Sequence, residues 1–152
     1  MATSESLSSV HDAADRDVAR NHRIAYALFR LTLGLNIFFH GFIRILMGRQ
    51  IFVAQTEKLF TNSFLPMWQV HLFLSILPFL EVLVGLFLIL GLLTMWALVG
   101  GALLMMVLIF GTATRQDWNT VGTQTLYGLF YFFLISRMHD NCFALDRLRS
   151  KP

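Results

Sequence analysis

Between Val70 and Thr114, about 45 residues, the chain carries only two ionisable side chains, His71 and Glu81. That is roughly twice the ~20 apolar residues needed to cross a bilayer. Gly91-Leu92-Leu93-Thr94 is the one plausible turn inside this stretch. It therefore reads as two antiparallel crossings joined by a tight hairpin, and it commits the chain to a membrane.

The composition agrees. Hydrophobic residues make up 56% of the 152 positions and charged residues 14%, where a soluble domain has roughly a quarter charged residues. The net charge of +3 does not point to nucleic acid, because the basic residues are scattered at helix ends rather than gathered in one patch. The single cysteine, Cys142, has no partner for an internal disulfide or a C-x-x-C pair. The first twenty residues are Ser-rich and charged with no apolar core, unlike a signal peptide. The first span is thus expected to act as its own insertion signal.

The expected fold is all-α: an integral membrane four-helix bundle with spans at about 24–47, 70–90, 95–113 and 119–138. Residues 1–22 read as a polar tail, loosely docked or with a nascent surface helix from Asp12 onward, and 139–152 as a basic tail. Between spans one and two, Ile51, Phe52, Leu59, Phe60 and Phe64 alternate with Gln55, Glu57 and Lys58. This pattern fits a short amphipathic helix lying in the interface.

Arg16, Arg20 and Arg23 flank the first span, and Arg137, Arg147, Arg149 and Lys151 follow the last. The first loop has only Arg49 and Lys58, and the third only Arg115. The positive-inside rule places both termini in the cytoplasm, so the expected location is the cell (inner) membrane. Trp68 and Trp118 then mark the outer interface and Trp96 the inner one.

Ionisable groups inside a span are costly and usually functional. At ~100° per residue, Arg30, Gly34, Asn36, His40, Gly41 and Arg44 fall within roughly 160° of one face of span one. His71, Ser75, Pro78, Glu81 and Gly85 form a similar stripe on span two, and Pro78 is expected to kink it. Thr94, Gly101, Met105 and Thr112 on span three, and Gln124, Tyr127, Gly128 and Tyr131 on span four, complete a polar interior. Counting depth at ~1.5 Å per residue gives two layers. Glu81 with Arg30, Asn36 or Gln124 sits near the middle, and His40, Arg44 and His71 lie further out. Glu81 is too deep to reach water. His40 and His71 are the only candidate pair for a haem, and His71 lies at the very end of its span, so no intrinsic haem or metal is expected.

Several of these residues also carry a resemblance. Arg30-x-x-x-Gly34-x-x-x-Phe38-Phe39-His40-Gly41, with Arg44 three positions on, resembles the opening motif of the DoxX family. Glu81-x-x-x-Gly85 followed by Leu-Ile-Leu-Gly91 is similar to that family's second-span signature, and Ala144-Leu145-Asp146 resembles its closing Ser-Leu-Asp. Arg44 stands where lysine is commoner, and Gln124 where many members carry glutamate. The resemblance implies a four-helix membrane subunit, some of whose relatives belong to thiosulfate:quinone oxidoreductases.

On that footing the expected function is a subunit of a quinone-linked oxidoreductase. Glu81 and His40 are the catalytic candidates, with Arg30, Asn36, Arg44, Gln124, Tyr127 and Tyr131 lining a quinone site. Because the chain holds no redox centre of its own, electrons would come from a partner protein carrying redox cofactors. The alternatives are a non-catalytic membrane anchor or assembly subunit and, less favoured without an inverted repeat, a small-molecule transporter.

Overall fold

The structure is a computed structural model that describes residues 2–149. The extremes of the two expected tails, Met1 and residues 150–152 with Lys151, lie outside it. The described residues are helical in seven-eighths of the chain or so and contain no strand. Helix α1 spans Ala2–Leu46, α2 Arg49–Glu57, α3 Met67–Leu90, α4 Thr94–Thr114, α5 Trp118–Ser136 and α6 Leu145–Arg149.

Among the described residues, three helices are long and apolar enough to cross a membrane: residues Ala13–Leu46 of α1, α3 and α4. Their outer faces expose Phe39, Phe42, Ile76, Phe79, Leu83, Leu103, Met106 and Phe110. An apolar exterior on this scale belongs in lipid. Helix α5 has 19 residues but carries Asn119, Thr123, Gln124 and Thr125 in its first half, which lower its hydropathy.

The amino-terminal segment differs from the expected loose tail. It continues the first helix without a break, so α1 is 45 residues long. No proline interrupts it, and Asp17 and Arg20 pair across one turn at 3.1 Å, a modest helix support.

Helices α1 and α3 lie antiparallel along their length, in a register set by three glycines. Gly34 rests against Gly85 and Leu88, Gly85 against the backbone of Phe38, and Gly41 against Pro78, Glu81 and Val82. A Cβ on Gly41 would come within 2.9 Å of the Val82 nitrogen, and one on Gly85 within 2.6 Å of the Phe38 Cα. Small residues at such crossings let two backbones approach closely. Helix α4 pairs mainly with α5, while α1 and α5 touch only sparsely. That leaves a cleft between them.

The core has two parts. Tyr26, Leu33, Ile37, Leu88, Leu98, Tyr131 and Leu134 pack together in one. Val53, Phe60, Val70, Leu74, Leu77 and Leu104 form the other, beneath α2. The expected amphipathic segment is present as α2 and a 3-10 turn at Lys58–Phe60, and it buries Val53 and Phe60.

The α3–α4 turn is closed from a distance. Gly91 takes a left-handed conformation (φ 64°), and the Leu92 N–H donates to the Phe87 carbonyl at 3.0 Å, the Schellman ending of a helix. Helix α4 then starts with no cap of its own. Asp146 supplies one: its carboxylate accepts the Leu93 N–H at 2.7 Å and the Thr94 N–H at 2.8 Å, satisfying amides that a helix start otherwise leaves open.

Candidate functional site: a charged cleft between α1 and α5

The glycine register decides what Glu81 meets. With Gly41 level with Glu81, Arg44 lies one turn further along α1 and reaches back to it. Arg44 Nη1 donates to both Glu81 carboxylate oxygens at 2.5 Å. Glu81 is 5% exposed, and the Arg44 guanidinium also lies over the Phe52 ring at 4.6 Å. A carboxylate this deep is stable when charged only if it is paired, and Arg44 provides the pairing.

Arg30, Asn36 and Gln124 are the partners the sequence offers for Glu81, and the structure corrects this: Asn36 and Gln124 share its cavity but bond Tyr127 and Thr112, and Arg30 lies elsewhere. Arg30 sits beside the last turn of α3, about ten residues and therefore ~15 Å along the helix from Glu81. There it is buried and donates to the Leu88 carbonyl and to the Phe143 carbonyl, each at 2.7 Å. A depth counted from a span start near Ile24 puts Arg30 within reach of Glu81, whereas the glycine contacts slide α1 along α3 and bring Arg30 to the hairpin end.

The two expected polar layers are rearranged for the same reason. Asn36 accepts a hydrogen bond from the Tyr127 hydroxyl at 2.9 Å, joining α1 to α5. Gln124 Nε2 donates to the Thr112 hydroxyl at 3.1 Å. His71 pairs with Glu57 of α2 at 2.5 Å, on the exposed side of α3. His40 and His71 open onto different hollows. The stripe on α1 is also split: Gly34, Gly41 and Arg30 are buried, while Asn36 and His40 are exposed along the mouth of the cleft.

Around the ion pair lies a cavity of about 230 Å³, walled by Asn36, His40, Arg44, Glu81, Gln124, Tyr127 and Met105. Six of the eight expected site residues therefore converge. Arg30 and Tyr131 do not. Tyr131 is fully buried against Gly101 in the α4–α5 contact. On the far side of Arg44 and Gln124 lies a second cavity of about 330 Å³ beneath α2, lined by phenylalanines.

The roles of several residues in this region come only from the structure. Phe52 belongs by its pattern to the amphipathic segment, and its ring carries the Arg44 guanidinium. Thr112, an inner-stripe residue by periodicity, anchors Gln124. Thr120 lines both cavities and is fixed by Asp117, which caps α5 by accepting its N–H at 3.2 Å and its hydroxyl at 2.7 Å. These Thr120 hydrogen bonds, with the nearby Arg115 charge, hold the Asp117 carboxyl below the usual carboxylate range. An Asp three residues before a threonine at a helix start is a readable capping signal.

Compared with family models, with curated proteins and with solved structures, the chain has no match.

Proposed function

We propose that the chain is a DoxX-like membrane subunit of a quinone-linked oxidoreductase, and that the α1–α5 cleft receives the quinone head group. In this reading α5 is a fourth crossing, both termini are cytoplasmic, and the membrane is the inner one. The basic flanks of α1 and α5 and the placement of the tryptophans support that topology.

The observation that carries the proposal is the Arg44–Glu81 pair, with Glu81 buried and Arg44 half-buried, in the wall of a cavity between α1 and α5 whose lining includes the exposed Asn36 and His40. A lipid-dissolved substrate enters by such a route without crossing water. The apolar ring lies along Ile37, Met105 and Leu108. His40 or Arg44 donates to a carbonyl oxygen, and Tyr127 and Asn36 fix the far edge. As Arg44 turns toward the substrate oxygen, Glu81 loses its counter-charge and becomes a site that holds a proton. Reduction takes two electrons from the partner's redox centre and two protons, one relayed through Glu81, and yields the quinol.

The test is quinone binding and quinone-linked turnover of the purified complex. Glu81→Gln is expected to leave binding largely intact and to cut turnover, while His40→Ala weakens binding. Unchanged binding and turnover in both variants sinks the proposal.

A second reading, an assembly subunit without catalysis, is favoured by the fact that Arg44–Glu81 also fastens α1 to α3. On that reading Glu81→Gln lowers assembly or thermal stability and leaves turnover per assembled complex unchanged.

A further inference from the structure

Helices α1 and α5 run antiparallel where they meet. Three contacts show it: Asn36 with Tyr127, the Phe29 ring with the Phe130 ring at 5.2 Å, and the Tyr26 hydroxyl with the Met138 sulfur at 3.4 Å. At the His22 end of this pair the two helices frame a groove of about 320 Å³. It shares no wall residue with the cleft or with the cavity beneath α2.

The walls of the groove change character in the same direction. On α1, Phe29, Ala25 and His22 are spaced by four and three positions, so they share one face. The facing wall supplies Phe133, then Arg137 one turn on, then Asp140 in the 3-10 turn that follows α5. Each wall begins aromatic and passes to a hydrogen-bond donor, and the second ends on a carboxylate. Phe133, His22 and Arg137 are exposed, whereas Asp140 is 9% exposed.

This carboxylate is only loosely paired. Its Oδ2 lies 3.8 Å from Arg137 Nη1 and 3.4 Å from His139 Nε2, where charge-assisted hydrogen bonds are ~2.7–2.9 Å. Arg137 and Asp140 therefore both keep capacity for a closer partner. A plain basic pocket at a helix end suits an anionic lipid, but a low-exposure carboxylate beside the arginine repels a second anion. The order apolar, donor, acceptor fits a headgroup whose phosphate is followed by a hydrogen-bonding cation.

We propose that the groove holds one phosphatidylethanolamine molecule. Its phosphate accepts from Arg137 and from His22, whose ring offers an N–H in either protonation state. Its ammonium donates to Asp140, and one acyl chain lies along Phe29 and Phe133. The proposal takes from the topology above only that α5 crosses beside α1, and nothing from the quinone chemistry.

Ala25 offers a block, because it is exposed in the groove and small. The full chain in a non-ionic detergent is titrated with phosphatidylethanolamine, phosphatidylcholine and phosphatidylglycerol carrying the same fluorescent acyl chain. Anisotropy reads the binding, with empty micelles as the blank. Saturable binding of phosphatidylethanolamine is expected, about tenfold tighter than that of phosphatidylcholine, which has the same charges but no N–H to donate. Ala25→Phe should abolish saturable binding of all three lipids, and Asp140→Ala should erase the preference for ethanolamine over choline. Equal affinities for those two lipids, tightest binding of phosphatidylglycerol, or unchanged binding in Ala25→Phe would overturn the assignment. Competition by chain-free glycerophosphoethanolamine as strong as by the lipid would also overturn it. Should Asp140→Ala fail to fold, the comparison of ethanolamine with choline on the unaltered chain still decides. Glu81→Gln and His40→Ala lie outside the groove and should leave the lipid preference unchanged, so failure of the quinone reading and failure of this one are told apart.

Discussion

Arg44 and Glu81, 37 positions apart, are joined through one nitrogen: Nη1 stands 2.5 Å from each oxygen of the carboxylate. The geometry follows from two residues that carry no charge. Gly41 lets α1 lie against the Glu81 turn of α3, and the next turn of α1 then delivers Arg44.

Removing one member of this pair leaves the other charge buried and alone. Arg44→Ala is expected to cost about 3–5 kcal/mol of stability, whereas Arg44→Leu combined with Glu81→Leu recovers most of it. Thermal unfolding of the three proteins in the same detergent reads the difference. A double variant no more stable than the single would refute the pairing.

Gly85 and Gly100 provide a matched comparison. A Cβ on Gly85 presses on the Phe38 backbone, while one on Gly100 meets nothing within 4 Å. Gly85→Ala should therefore destabilise by roughly 1–3 kcal/mol through overpacking. Gly100→Ala should be near neutral or slightly stabilising. Equal melting temperatures for the two variants would contradict the observed register.

Asp146 gives the hairpin end a pH dependence. Burial pushes its carboxyl up, but hydrogen bonds from Thr94 and Leu93 and the nearby Arg30 charge outweigh this and hold it below the ordinary carboxylate range. A group with a depressed folded-state value contributes fully above its unfolded value, about 3.9, and loses that contribution as pH falls through the folded value. Hydrogen exchange at the Leu93 and Thr94 amides, corrected for intrinsic rates, should speed up below about pH 4. In Asp146→Ala the same amides should be poorly protected throughout, with no such step.

Cys142 serves as a native topology marker. If both termini are cytoplasmic, a membrane-impermeant maleimide should label Cys142 only after the cells are opened. A cysteine placed at Asn62, in the exposed α2–α3 loop, in a Cys142→Ser background should label in intact cells. The reverse pattern inverts the orientation, and labelling of both from outside rules out α5 as a crossing.

The helices were legible because hydropathy is a local property: the starts and stops of α3 and α4 lie within three residues of the expected spans. Glu81 was legible as a buried charge for the same reason, since its neighbours for many positions on either side are apolar. Its partner was not. Choosing between Arg30 and Arg44 depends on the sliding register of α1 against α3, and Gly34, Gly41 and Gly85 fix that register through contacts between segments some fifty or forty positions apart. Periodicity placed Asn36 and His40 on the inner face together with Gly41, but a face about 160° wide spans both the α3 contact and the edge facing α5. The Asp146 cap was hidden too. Nothing in the Leu93-Thr94 start announces that its amides are satisfied from 52 and 53 positions downstream.

That last distance bears on biosynthesis. Helices α3 and α4 enter the membrane as a pair while α5 and the tail are still unmade, so the hairpin spends its first moments with two backbone amides open at the headgroup boundary. Arg30, likewise, waits for the Phe143 carbonyl. Phe143 and Asp146 act as a late-arriving fastener, and a chain that stopped before Phe143 would keep its apolar helices yet remain unlatched at that end. Quality-control proteases that probe loose membrane hairpins would meet such a product first.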